Sequence, residues 1–228
     1  MIAAGTSVRK VVLVEDDNLT RLILAETLAQ RGFDVRSAAT AGEAEDLCAQ
    51  FDPDAVVLDV DLGNGPNGFD LADSLRLSSP GIAILFLTHL PDSRFIGRDQ
   101  DKLPAGFGYL NKDRLVAEEA LFEALDSVLR GRQSGVPRHD TDPSRPMAYL
   151  SQAQISVLRM IALGMDNQQI ATKRKTSVRA VYGLIQRAMA AIGAEEDAEG
   201  VGRVVAARAF IAAAGIPLNI AEQPDRHE

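Results

Sequence analysis

Four apolar runs in this chain stop at residues suited to phosphate chemistry. Lys10–Val14 (KVVLV) runs into Glu15, Asp16 and Asp17. Ala55–Asp59 (AVVLD) ends in Asp59, with Asp61 two residues on. Ile82–Thr88 (IAILFLT) ends in Thr88, and the weaker run Gly106–Leu110 is followed by Lys112. Carboxylates gathered in one place repel one another and resist simultaneous ionisation. A hard cation relieves that repulsion; Mg²⁺ takes oxygen ligands and needs only one or two carboxylates because it keeps several waters. A lysine adds a point charge suited to phosphate, and a threonine hydroxyl can hydrogen-bond a phosphoryl oxygen. Together these groups suit phosphoryl transfer to a carboxylate nucleophile. Taken singly, each has a plainer use. An Asp after a strand is commonly a turn or helix cap, and Asp17, just ahead of a helix starting at Leu19, fits a cap. Thr88 alone could be a strand residue, and Lys112 alone a solvated one.

The chemistry needs elements that bring these four positions to one edge. Continuous apolar runs of this length read as parallel strands covered by helices on both faces. A further weak strand is expected at Asp34–Ser37. Helical patterns fall at Leu19–Arg31, Ala41–Phe51, Gly68–Leu77 and Arg114–Arg130. The alternation predicts an α/β fold, a doubly wound sheet of five parallel strands, whose sites form at the carboxyl ends of strands. Leu90–Ala105 (LPDSRFIGRDQDKLPA) breaks the alternation, because Pro91, Gly97 and Pro104 oppose a helix.

The first part resembles the receiver domain of bacterial two-component response regulators, through VVLVEDD (11–17), AVVLDVDLGNG (55–65), LFLTH (85–89) and GYLNK (108–112). The resemblance implies that Asp59 accepts a phosphoryl group from a sensor histidine kinase. It implies that Glu15 and Asp16 are the acidic pair, with Asp16, Asp59 and the backbone carbonyl of Asp61 on Mg²⁺. Thr88 and Lys112 would contact the phosphoryl group, and Tyr109 would be the aromatic switch residue; a half-buried tyrosine with no such role is the plainer reading. The chain departs from the family in three places. The loop after Asp59 is glycine-rich and one residue longer. His89 replaces a small residue after the threonine, where an imidazole would crowd the site. The helix expected within 90–105 has no sequence support. Asp59-x-Asp61 after a strand also resembles the haloacid-dehalogenase phosphatase motif, which Glu15-Asp16 and GYLNK fit poorly.

Composition bounds the remainder. The chain has 228 residues, 46% apolar and 25% charged, the balance of a soluble globular protein of one or two domains. The single cysteine, Cys48, excludes an intrachain disulfide. The longest apolar stretch, Val204 to Ala221, is interrupted by Arg208, Pro217 and Asn219, so no membrane span is expected. The four apolar residues between Lys10 and Glu15 are too few for a signal-peptide core, so the expected location is the cytoplasm. Taken as a bare total, the net charge of −8 disfavours nucleic acid. It is unevenly distributed. Gly131–Met147 (GRQSGVPRHDTDPSRPM) has three prolines, two glycines and no periodicity, and divides the chain into 1–130, a linker 131–147, and 148–228. The first part holds 12 Lys+Arg against 22 Asp+Glu, net −10, while the linker (3 against 2) and the last part (9 against 8) are each +1.

The last part has only helical periodicity, at Ser151–Leu163, Asn167–Lys173, Val178–Ile192 and Gly200–Ala214. Ser151 and Asn167 are the expected caps, Gly164 closes the first helix and Thr176-Ser177 makes a turn. Within 150–193, six basic residues face one acid, Asp166, net +5. A short helix, tight turn and longer helix is the helix-turn-helix arrangement. The segment resembles the LuxR/FixJ (NarL)-type helix-turn-helix domain through LS (150–151), VLRMIALGMDNQQIA (157–171), SVRAV (177–181) and IG (192–193). Lys173, Arg174 and Lys175 are then candidate phosphate contacts, Arg179, Tyr182 and Gln186 candidate groove contacts on one helical face, and Arg187 a further DNA-binding candidate. Tyr182-Gly183-Leu184 departs from the usual basic residue and histidine, which leaves a protein-binding output as an alternative. The expected whole is a transcription regulator rather than an enzyme. It is controlled by phosphorylation, binds DNA, and is a homodimer when active. The tail 215–228 is expected to be poorly ordered.

Overall fold

The computed structural model describes residues 8–63, 65–98, 103, 106–131, 136–194 and 201–215. They form two compact units. One holds the described residues of 1–88 and 104–138; the other holds those of 89–103 and 139–228. The segment 89–103, assigned from sequence to the first part, therefore belongs to the second unit.

The first unit is a parallel sheet of β1 (Lys10–Val14), β2 (Asp34–Ala38), β3 (Ala55–Leu58), β4 (Ala83–Thr88) and β5 (Gly108–Asn111), in the order β2-β1-β3-β4-β5. Four helices cover it: α1 (Asn18–Gln30), α2 (Ala41–Phe51), α3 (Gly68–Ser78) and α4 (Glu118–Leu129). Side chains alternate along each strand, which explains why both halves of each apolar run are needed. Val11, Leu13, Ala55, Val57, Leu85, Leu87 and Leu110 pack with Leu28 of α1 and Leu121, Phe122, Leu125 and Val128 of α4. On the other face Phe86 meets Phe69 of α3, Phe107 and Tyr109, with ring centroids 4.6, 5.2 and 6.1 Å away.

Two boundaries differ from the sequence expectation by more than one residue. β5 begins at Gly108 rather than Gly106, because Gly106 has φ +74°, a left-handed conformation that ends a strand. The helix expected from Arg114 begins at Glu118; Lys112–Arg114 instead form a 3₁₀ turn capped by Asn111. The linker region is also more structured than its composition implied. The Tyr109 N–H donates to Pro137 O at 2.8 Å, and Arg138 bridges to Tyr109 as a parallel partner. Residues 136–138 thus cover the exposed edge of β5, a place where open backbone groups invite unwanted pairing.

The second unit contains α5 (Gln152–Ala162), α6 (Asn167–Lys173), α7 (Val178–Ala191) and α8 (Val201–Ala214). Ser151 and Gln154 form a capping box at α5. The cap of α6 is Asp166, paired with Gln169, and not Asn167 as expected: the Asp166 carboxylate accepts from the Gln169 N–H, so Asn167 is already the first helical residue. Ile155, Leu158, Ile170, Val181, Ile185 and Phe210 build the core. No helix among the described residues is long and apolar enough to cross a membrane. The tail from residue 216 lies outside the described residues.

Phe86 is fully buried at the centre of the three-ring contact. Phe86→Ala is expected to cost ~3–5 kcal/mol in urea unfolding of the full chain. A loss under about 1 kcal/mol would mean that the cluster collapses around the gap.

Candidate functional site

The parallel register carries the four strand ends to one edge. Val14 pairs with Leu58, and Leu58 with Phe86, so Glu15 and Asp59 emerge side by side at the β1–β3 junction. That junction is where the strand order reverses, the usual location of sites in such sheets. Thr88 pairs with Asn111, which places Lys112 one step beyond the same edge.

The side chains of Glu15, Asp16 and Asp59 bring carboxylate oxygens within 4.8 Å of one another. The Lys112 ammonium donates to Glu15 Oε2 at 2.5 Å and to Asp59 Oδ2 at 2.6 Å. Lys112 retains 10% side-chain exposure, so it is not a solvated surface lysine. Asp59 Oδ1 accepts from the Asp61 N–H at 3.1 Å. Glu15 and Asp59 are buried while Asp16 is exposed. Thr88 is buried, and Tyr109 is buried completely rather than by half. His89 is exposed.

Burial pushes the Glu15 carboxyl above its ordinary value; the hydrogen bond from Lys112 opposes this, and the charges of Asp59 and Asp16 reinforce it. For Lys112, burial disfavours the charge, but the pull of Asp59 and the hydrogen bonds to Asp59 and Glu15 outweigh it and raise the ammonium above its usual range. Three carboxylates with one ammonium leave an excess of negative charge on oxygen donors alone. That donor set fits a hard divalent cation and offers nothing to a soft one. Asp17 stands apart from this group. It caps α1 by accepting from the Thr20 N–H at 2.7 Å, and hydrogen bonding from the Thr20 side chain, with that backbone bond second, holds its carboxyl below the usual range.

Three supporting residues escaped the sequence reading. Arg21 donates to the carbonyls of Glu15 (2.6 Å) and Asp16 (3.2 Å), fixing the acidic loop from α1. Asn111 caps the 3₁₀ turn that presents Lys112, accepting from the Asp113 N–H at 3.1 Å. Gly68 opens α3 directly beneath Asp59; a Cβ there would stand 2.1 Å from the Asp59 carbonyl oxygen and 2.9 Å from Val60 Cα. A glycine at a first helical position has no propensity advantage, and that was the available signal.

In the helical unit, Lys173, Lys175, Arg179, Tyr182 and Arg187 are exposed. Arg179, Tyr182 and Gln186 follow one another along α7 at helical spacing, Gln186 being half-buried. Arg174 is turned inward: its guanidinium donates to Ser156 Oγ at 3.1 Å and ties the end of α6 to α5. Lys175 takes φ +51° in the turn between α6 and α7.

A parallel sheet of order 2-1-3-4-5, with an acidic cluster and a lysine at its carboxyl edge, is the architecture of a receiver domain. The model of the response regulator receiver domain matches residues 11–125, and the chain belongs to that family. The chain is similar to the oxygen regulatory protein NreC of Staphylococcus aureus (strain bovine RF122 / ET3-1), 25% identical over 210 residues, covering 83% of this chain and 94% of that protein. It is similar also to the nitrate/nitrite response regulator protein homolog of Haemophilus influenzae, 28% identical over 173 residues, covering 72% of this chain and 80% of that one. Among solved structures it is similar in fold to RcsB from Salmonella enterica serovar Typhimurium bound to promoter P1flhDC in the presence of phosphomimetic BeF3⁻. The TM-score is 0.55 at 17% identity, covering 90% of this chain and 98% of that one.

Because backbone atoms surround the missing Cβ of Gly68, no side-chain rotation relieves the clash. Gly68→Ala is expected to destabilise the chain by ~1–3 kcal/mol or more in urea unfolding. Wild-type stability would show that α3 is free to shift away from Asp59.

Proposed function

We propose that this chain is a phosphorylation-controlled transcription regulator in which Asp59 receives a phosphoryl group from a sensor histidine kinase. The observation that carries the reading is the Lys112 ammonium shared between Glu15 and Asp59. An Asp59 oxygen attacks phosphorus in line with the departing imidazole nitrogen, and the work left to the protein is positioning and charge neutralisation. Mg²⁺ would be held by Asp16, Asp59 and the backbone carbonyl of Asp61, with Glu15 supporting the cluster; it supplies neutralisation of phosphoryl oxygens when bound. Lys112 and Thr88 take the remaining phosphoryl oxygens, and Tyr109 answers the movement of Thr88 as the switch residue. Phosphorylation adds roughly −1.5 to −2 charge at the strand edge, enough to redraw the partners of Lys112.

The helical unit is the output. Lys173, Lys175 and Arg187 are suited to DNA phosphates, Arg174 to holding α6 on α5, and Arg179, Tyr182 and Gln186 to base edges in the major groove. The modest basic excess favours action as a homodimer, which doubles the contacts. The named relatives are response or oxygen regulators, and the fold neighbour was solved on a promoter, which supports a regulator rather than an enzyme. A kinase-borne phosphohistidine and chromosomal DNA are both reached in the cytoplasm, where we place the protein.

Acetyl phosphate with Mg²⁺ is expected to add one phosphoryl group per chain, and none to Asp59→Asn or in the presence of EDTA. Label persisting in Asp59→Asn would refute the site. DNA binding of the full chain is expected to fall with salt at a log–log slope of about −0.9 per phosphate contacted. Arg179→Ala is expected to cost ~1–3 kcal/mol on a specific site, whereas Lys173→Ala weakens all sequences alike. Binding indifferent to salt and to Arg179 would instead favour a protein partner for Tyr182-Gly183-Leu184.

A further inference from the structure

The chain leaves β4 at Thr88 and enters the helical unit at once, with no α-helix among the described residues before β5. Pro91, Asp92, Ser93, Arg94 and Phe95 are buried in succession, and Ser93–Ile96 form a single 3₁₀ turn. Asp92 is completely buried and carries two guanidinium groups. Arg94 binds it in a fork, Nε to Oδ1 at 2.9 Å and Nη2 to Oδ2 at 2.6 Å, and Arg145 adds Nε to Oδ2 at 2.7 Å. Arg94 also donates to the carbonyls of Leu150 and Met147, directly ahead of the α5 cap Ser151. Gln152, the first residue of α5, donates to Gly97 O at 3.2 Å. Phe95 lies against Phe210 of α8 with centroids 5.4 Å apart. α8 in turn reaches the helix-turn-helix, since Arg203 donates to Asn167 Oδ1 at 2.9 Å and to the Met165 carbonyl, at the start of α6.

We propose that Leu90–Gly97 is a strap that links the phosphorylation site to the DNA-binding helices by seating the start of α5 and the face of α8. The inference rests on the phosphoacceptor reading of Asp59 and Thr88. Asp92 follows Thr88 by four positions, at most ~14 Å of extended chain, so a shift of Thr88 toward a phosphoryl group has little slack to absorb it. The receiving end has discrete states. A forked carboxylate–guanidinium pair is either made or broken, because a partly desolvated charge without its partner is costly. Ser93 Oγ is buried without a hydrogen-bond partner, so the seated strap keeps one unsatisfied group that release would hydrate. From the strap onward the route runs through contacts, Asp92 with Arg94 and Arg145, Phe95 with Phe210 of α8, and Arg203 with the start of α6, and only the intervening chain joins it to Thr88.

The test is amide hydrogen exchange of the full chain, followed in α5 (152–162) and α8 (201–214), with and without acetyl phosphate and Mg²⁺. In the wild type, phosphorylation is expected to change exchange in both helices. Phe95→Ala is expected to label at Asp59 as fully as the wild type. It should raise α8 exchange by on the order of ten-fold before phosphorylation, and change no further after it. Phe95→Leu is expected to restore the wild-type pattern, and Asp92→Asn, which keeps the volume, to uncouple α5 in the same way should Phe95→Ala unfold. Unaltered α8 exchange in Phe95→Ala overturns the seat, and a fully retained phosphorylation response in that variant overturns the route. A wild type that takes no label at Asp59 overturns the phosphoacceptor assignment and the route with it, while exchange in Phe95→Ala still decides the seat.

Discussion

One ammonium group held between two buried carboxylates governs the edge of the sheet. Lys112 comes from the end of β5 and Glu15 from the end of β1, so their contact closes on Asp59 from both sides of the strand order. Without the lysine, three crowded carboxylates would repel one another in a poorly hydrated place, and the loops bearing them would part. With it, the cluster is tolerable but still short of positive charge. The site is thereby organised in advance with an excess of negative charge, the condition under which a hard cation is welcome.

The scaffold around that contact is built to prevent relaxation. Arg21 holds the carbonyls of the acidic loop, Gly68 lets α3 press against the backbone of Asp59, and Asn111 fixes the turn that aims Lys112. None of these touches the centre of the cluster. Each removes a way for a charged loop to retreat into water, which is how a supporting shell preserves sub-ångström positions.

Much of this was legible from the residues alone. Strands buried on both faces announce themselves as unbroken apolar runs, and the residue that ends each run is by construction at the sheet edge; Glu15, Asp59, Thr88 and Lys112 were found that way. Caps were less certain. Asp166 and Asn167 are both good capping residues, and only the backbone bond from Gln169 decides between them. The start of β5 depended on the sign of one φ angle at Gly106, which composition does not reveal. The strap was visible only as a defect, a stretch unfit for a helix. Its partners, Arg145 and Phe210, lie 53 and 115 residues further on, and no local pattern announces a contact at such a distance.

That long reach has a consequence for how the chain can be made and recombined. The helical unit is discontinuous, so its first piece leaves the ribosome well before the helices it belongs to. Asp92 must wait for Arg145, and Phe95 for nearly the end of the chain, while the sheet that begins before the strap is completed after it. Contacts of such separation form late, once their loop-closure cost has been met. An output module excised at the proline-rich stretch would lack one of its own parts. Exchange of modules between regulators, ordinarily a matter of cutting one linker, would here need two matched breakpoints.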